Sequence, residues 1–193
     1  MGLKGEQTKD LIKNRAYQLF AKKGFKNVTM KDICDSTGLS RGGLYRHYDS
    51  TNQIFFDILA GFITGQREEF NEKIKLGYSC VQILEEALIK IKTELMDSEN
   101  SLSIAIYEFC SLRLDNTYEE YYKQALATWS NFIRYGIERG EFAKVDVTST
   151  ANMILFAYEG VRMCSKVMGV DEAMADGIIN QIRNILEVDY ERR

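Results

Sequence analysis

The run Ser40-Arg41-Gly42-Gly43-Leu44-Tyr45-Arg46-His47-Tyr48 concentrates groups suited to one task, the recognition of a polyanion. The Arg41 and Arg46 guanidiniums can pair with phosphate oxygens or fork onto O6 and N7 of guanine. Ser40, and Thr29 further upstream, bring hydroxyls to helix N-termini, where backbone N–H groups already favour phosphate. Tyr45 and Tyr48 are flat groups with a hydrogen-bonding tip, His47 is a further donor, and Lys31 adds charge nearby. Gly42 and Gly43 are the most telling pair. Each glycine in a helix costs about 1 kcal/mol against alanine, but a helix pressed against DNA gains when its backbone can approach closely. Taken singly, each of these cations also fits an ordinary solvated surface.

The elements that must carry these residues follow from local patterning. Ile12, Ala16, Leu19 and Phe20 fall on one face of a helix predicted over Thr8–Lys23, and Gly24 is a natural stop. Thr29-Met30-Lys31-Asp32 reads as a capping box opening a short helix with Ile33 and Cys34 inward. That helix ends near Gly38. Leu39 and Leu44 point to the core, and Ser40 caps a third helix predicted over Arg41–His47. The result is a helix-turn-helix, whose second helix enters the major groove while the first lies across the backbone.

A second box, Ser50-Thr51-Asn52-Gln53, opens a long helix with an apolar face of Ile54, Phe55, Ile58, Leu59 and Phe62, closed by Gly77. Ser79, with Gln82 three later, opens a helix reaching Leu95. Ser98 or Ser101 opens another to about Leu114. Further helices are predicted over Thr117–Arg139, from Asp146 to about Met168, and from Asp171 to about Tyr190. The fold class is therefore all-α with about nine helices: a helix-turn-helix head over 1–50 and a helical body over 51–193.

Composition agrees. The 193 residues include no proline, where a chain of this length ordinarily holds roughly ten, and this disfavours loop-rich sandwiches and barrels. Without proline kinks, motion along the helices has to use whole-helix tilts or the breaks at Gly77, Gly140 and Gly169. The net charge is −3, unevenly spread: residues 1–50 hold ten Lys+Arg and five Asp+Glu, leaving 15 and 23 for the rest. A head at +5 on a body at −8 places the anionic partner at the head alone. There is no membrane-length apolar run and no apolar leader, so a cytoplasmic chain without a signal peptide is expected. Cys34, Cys80, Cys110 and Cys164 read as reduced, buried thiols. A single histidine, His47, leaves no plausible Cys/His zinc site, and no cofactor is expected.

From Phe20-Ala21-Lys22-Lys23-Gly24-Phe25 through Thr29-Met30-Lys31-Asp32-Ile33 to Thr37-Gly38-Leu39-Ser40-Arg41-Gly42-Gly43-Leu44-Tyr45-Arg46-His47-Tyr48, the sequence resembles the tetracycline-repressor (TetR) family of bacterial regulators. The resemblance covers about residues 8–55. It implies an all-helical homodimer whose three N-terminal helices bind double-stranded operator DNA while the rest binds a small effector and dimerises. Two departures stand out. The family commonly has threonine or another larger residue where Gly43 stands. It also commonly has lysine where Thr51 stands, anchoring the fourth helix to phosphate; Thr51 can donate a hydrogen bond but brings no charge, so that contact should depend less on salt.

The body is rich in aromatic residues. Most should fill the core, but a mixed apolar and aromatic pocket between helices is a usual small-molecule site. Tyr107, Trp129, Phe132 and Tyr158 are candidates for its lining. Glu108, Glu159 and Arg162 lie on stretches that otherwise read as buried, where a charge needs a partner: each other or a ligand. The last two predicted helices are apolar over more than one face, which suggests a four-helix homodimer interface. The expected function is a ligand-responsive transcriptional regulator, a repressor released from a palindromic operator by an effector. An activator of the same fold shares every one of these features. A small-molecule-binding module or enzyme with non-specific DNA affinity is the other alternative, although no nucleophile–base pair, phosphate loop or metal cluster supports catalysis.

Overall fold

Glycine, proline-free helices and side-chain caps shape the chain much as their local chemistry dictates. The computed structural model describes residues 3–112 and 117–186, and within them the regular structure is helical: α1 (Leu3–Lys23), α2 (Met30–Thr37), α3 (Arg41–Tyr45), α4 (Thr51–Lys75), α5 (Cys80–Met96), α6 (Ser103–Ser111), α7 (Thr117–Glu138), α8 (Val147–Met168) and α9 (Glu172–Ile185). The chain forms two compact units, residues 1–62 with 99–118, and residues 63–98 with 119–193. The helix α4 contributes to both.

In the first unit α1 packs on α2 and α6, and α2 on α3. Its core joins Ile12, Ala16 and Phe20 of α1 to Ile33, Leu44, Ile54 and Phe55, with Phe109 from α6. Phe20, Phe25, Phe55 and Phe109 form one aromatic cluster, with neighbouring ring centroids 4.9–5.5 Å apart. Segment 99–112 is thus part of the unit that holds the helix-turn-helix, although 36 residues of sequence separate it from Phe62. In the second unit α5 packs on α8 and α9, and α8 on α9. Its core centres on Ile83, Leu84, Leu88, Trp129, Phe132, Ile133, Ile154 and Ile182.

Side-chain caps behave as predicted at Thr29, Ser79, Asp146 and Asp171, each accepting from the backbone N–H three residues on. Other boundaries differ. Helix α1 starts at Leu3 rather than Thr8. Helix α3 stops at Tyr45: Arg46 N still closes onto Gly42 O at 3.2 Å, but His47 N closes onto Leu44 O at 2.9 Å in a tighter, 3₁₀-like turn. Helix α6 starts at Ser103 instead of after Ser98 or Ser101: the Ser101 hydroxyl oxygen accepts from Ser103 N, and Leu102 takes the cap position without a side-chain bond. The predicted ends at Leu114 and Tyr190 lie outside the described residues. On α4 the inward position is Ile63, not Phe62, which sits half-exposed edge-on to Tyr17. Of the four free cysteines Cys80 is buried, with its thiol pushed up to about 11 by burial and then by Glu141. Cys34 and Cys110 are half-buried, and Cys164 is exposed, correcting the expectation that all four are interior.

Candidate nucleic-acid interface

The helix-turn-helix is assembled from short-range bonds. Thr29 adopts extended backbone (φ −109°, ψ 161°), and its Oγ1 accepts from Asp32 N at 3.2 Å while Asp32 Oδ2 accepts from Thr29 N at 2.9 Å. The Thr29 hydroxyl also donates to the same Asp32 carboxylate. Thr29 is therefore engaged in holding α2 while remaining exposed. From the end of α1, Lys23 Nζ reaches Asp32 Oδ1 at 2.8 Å. Lys23, and then Thr29, hold the Asp32 carboxyl well below the usual carboxylate range. The clasp contributes stability above the usual carboxylate pKa and loses it only as pH falls toward the lowered folded value. Replacing Thr29 by alanine is expected to lower stability by about 0.5–2 kcal/mol in urea unfolding, with α2 the first element to lose amide protection.

At Gly38 the chain turns. Its φ of +71° is a left-handed conformation that glycine adopts without strain, and its N–H closes onto Cys34 O at 2.9 Å. Ser40 then caps α3, accepting from Gly43 N at 3.1 Å. The two glycines after it do different things. A Cβ at Gly42 would meet open space, so this is where backbone can approach a partner; a Cβ at Gly43 would come within 3.3 Å of Ser40 Oγ and press on the cap. A larger residue at 43 must shift that cap.

Lys31, Ser40, Arg41, Tyr45 and Arg46 are all exposed. Arg41 lies over the Tyr45 ring, 5.5 Å from its centroid, so one turn of α3 presents a guanidinium backed by a phenol. Leu44 faces inward and is fully buried. His47 is half-buried, and its Nδ1 makes no hydrogen bond. Thr51 is half-buried at the first position of α4, where Ser50 Oγ accepts from Gln53 N, and Gln53 Oε1 accepts from Asp49 N.

Tyr48 departs from the sequence reading. It is 2% exposed, and its hydroxyl donates to Asp57 Oδ2 at 2.5 Å, with Lys9 over its ring. Burial, then Asp57, pushes its hydroxyl pKa up. Tyr48 is a pillar fastening the end of the helix-turn-helix to α4, not a free flat group. Asp57, its partner, carries no motif signal.

The candidate effector residues divide between the units. Tyr107 and Glu108 lie on α6 in the first. Tyr107 is 61% exposed, while the Glu108 carboxylate accepts from Lys26 N at 3.0 Å. In the second unit Trp129 and Phe132 are buried in an aromatic core with Phe70 and Phe142. The Tyr158 hydroxyl donates to Glu94 and accepts from Arg162 Nη1 at 2.8 Å, with the guanidinium 4.9 Å from the ring centroid. Glu159 joins this cluster; burial raises its carboxyl pKa, Arg162 opposes the rise and Glu94 adds to it. The reading of α8 missed Glu94, whose only signal is a carboxylate beside the apolar run of α5. Among the described residues no group of three or more His, Cys, Asp or Glu side chains is placed to hold a metal ion, and no helix is long and apolar enough to cross a membrane.

Residues 12–58 match the family described as bacterial regulatory proteins, tetR family. Over 138 residues the chain is 30% identical to the HTH-type transcriptional repressor KstR2 of Rhodococcus jostii (strain RHA1), covering 68% of this chain and 67% of that protein. The chain belongs to the TetR family. It is also 25% identical to the uncharacterized HTH-type transcriptional regulator YfiR of Bacillus subtilis (strain 168), over 92% of this chain and 91% of that protein. A solved TetR-family transcriptional regulator from Syntrophomonas wolfei shares the fold, with a TM-score of 0.74 at 18% identity over 94% of this chain and 96% of that one. As a TetR-family protein it is a helix-turn-helix transcriptional regulator, not an enzyme. The family match runs from the buried Ile12 on α1 to Ile58 on α4. It leaves out α6, which the structure nevertheless builds into the same unit.

Proposed function

We propose that this TetR-family regulator is a cytoplasmic repressor that binds a palindromic operator as a homodimer and leaves it when a small molecule occupies the second unit. One observation carries the DNA reading: Arg41, Tyr45 and Arg46 are exposed on a short capped helix whose backbone is open at Gly42. Lys31, Ser40, Gly43, His47 and Thr51 flank that surface, with Thr29 and Tyr48 holding it in place. Repression is supported by the likeness to KstR2, named a transcriptional repressor.

The homodimer is supported by apolar surface left exposed on the last two helices: Phe156 and Val167 of α8, 66% and 83% exposed, share one stripe with Gly160 and Cys164, and Met174 is exposed on α9. Two copies of one helix-turn-helix also read enough bases for a genomic site, where one does not.

For the effector, the Glu94–Tyr158–Arg162 cluster with Glu159 is the polar end of the proposed site, and Trp129 and Phe132 belong to the core behind it. A half-buried carboxylate with a raised pKa opposes folding of the free protein. As pH rises from the ordinary carboxylate range, near 4.5, through the raised folded value, the unfolded chain releases its proton before the folded one, and stability falls. Glu159→Gln is therefore expected to melt higher than the parent at pH 7, the difference closing toward pH 4. An equal or lower melting temperature at pH 7 contradicts this reading of the cluster.

The test of the function is a gel-shift titration on the protein's own upstream region, with sedimentation to count subunits per duplex and a reporter gene to give the sign of regulation. Candidate metabolites and drugs are then added. A shift at one palindrome, two subunits on it, lower reporter output and release by one compound together support the proposal; absence of sequence-selective binding overturns it.

A further inference from the structure

The turn between α1 and α2 is held from outside the helix-turn-helix. Gly24 leaves α1 with φ +76°, its N–H closing onto Phe20 O at 2.9 Å, and Val28 N closes the following turn onto Phe25 O. Between these two closures the backbone N–H of Lys26 donates to Glu108 Oε2 on α6 at 3.0 Å, across 82 residues of sequence. The same carboxylate occupies the space beside Gly24: a Cβ there would sit 2.7 Å from Glu108 Oε2 and 3.2 Å from Oε1. Gly24 therefore serves twice, by its left-handed backbone and by making room for the carboxylate. Next to Glu108, Phe109 stacks edge-on to Phe25 at 5.0 Å and leans on Phe55 at 4.9 Å. The start of the same segment is tied to α1 by Tyr17 Oη, which donates to Asn100 O at 2.7 Å.

We propose that Glu108 is a positioning residue for DNA binding. By gripping the Lys26 amide it sets the turn that leads, three residues later, into the Thr29 cap of α2, and so sets how α2 and α3 are presented. Glu108 touches no surface that α3 offers to DNA; it acts through the turn. This gives α6 a place in the DNA-binding unit that the motif over 12–58 does not contain. A carboxylate on a backbone N–H is a charge-assisted bond with little slack, and its loss leaves the turn free to sample other directions. Specific recognition, which needs several side chains in register with base edges, is the property that suffers; attraction to phosphate, which needs only charge, is not.

The inference rests on the DNA reading above, and one experiment separates the two. The full-length parent protein is used to select a duplex from a random 30-base-pair pool, and a shuffled duplex of the same composition serves as the non-specific probe. Affinities for both are measured by fluorescence anisotropy for Glu108→Ala, Glu108→Asp and Glu108→Gln, with melting curves and amide exchange over 24–31. Aspartate keeps the charge but withdraws it by one methylene; glutamine keeps an acceptor at the right distance. The expected result is a loss of about tenfold or more for the selected duplex in the alanine and aspartate variants, unchanged affinity for the shuffled one, faster exchange over 24–31, and recovery in the glutamine variant. Parental affinity for the selected duplex in both the alanine and aspartate variants overturns the inference. So does a parallel fall of both affinities and of the melting temperature, which marks a merely structural role. If alanine prevents folding, the aspartate and glutamine pair decides alone. A parent protein that selects no duplex fails the DNA reading itself, and the Glu108 inference falls with it.

Discussion

Replacing Arg41 and Arg46 together by alanine is expected to lower affinity for the selected duplex at least about thirtyfold, because an arginine on a base edge or phosphate contributes roughly 1–3 kcal/mol. Both side chains are exposed, and neither belongs to the core, so the melting temperature should stay within a degree or so of the parent's. The single variants divide the effect by kind. A residue on a base edge relaxes selectivity at one base pair, whereas a residue on phosphate weakens binding to all sequences and lowers the salt slope by about one. Tyr45→Ala should reproduce part of the Arg41 loss, because the ring lies 5.5 Å from the guanidinium and restrains it. Unchanged affinity in the double variant would remove α3 as the reading element.

Gly136→Ala, in the last turn of α7, is expected to unfold the second unit more easily even though alanine is the better helix former. Propensity alone favours the substitution by about 1 kcal/mol. The new Cβ, however, would lie 2.1 Å from Cδ2 and 2.5 Å from Cε2 of Phe142, a ring buried against Phe132. Nor can the ring simply back away, because Glu141 N and Phe142 N both close onto Gly136 O. Overpacking of this kind costs about 1–3 kcal/mol and outweighs the propensity gain wherever the ring has nowhere to go. The variant should therefore melt several degrees lower, at roughly 2–4 °C per kcal/mol for a chain of this size. A smaller side chain in place of the ring, as in Gly136→Ala with Phe142→Leu, should recover part of the loss as a positive coupling. A melting temperature at or above the parent's would show that the ring moves freely.

These two expectations differ in how far the sequence leads to them. Arg41 and Arg46 stand out from the sequence because every feature that places them is local: the Thr29–Asp32 box, the turn at Gly38 and the Ser40 cap each join groups at most a few residues apart. Gly136 lies unremarked inside a long helical pattern. Its importance depends on Phe142 folding back across the end of α7, and no periodicity encodes that return. Tyr48 shows the same limit. Its type and place suit a phosphate contact, yet the phase at which α4 departs turns its ring inward and puts Asp57 against its hydroxyl. Phe62 and Ile63 exchange roles for a related reason, since one residue of phase at the edge of a helical face decides which side chain the neighbours cover.

By itself the sequence determined what depends on neighbours along the chain: the all-helical class, most of the caps, the helix-turn-helix and the exposed basic turn that identifies a DNA-binding regulator. It also marked Glu108, Glu159 and Arg162 as charges in need of partners, because an ionised group on an apolar helix face is costly to leave alone. Only the tertiary structure decided who those partners are. Glu108 turned out to hold a backbone amide in the DNA-binding unit, while Arg162 joined Tyr158 and Glu94 on α5. The physical reason is that helical periodicity fixes which face of a helix is buried but says nothing about which distant segment is laid against it.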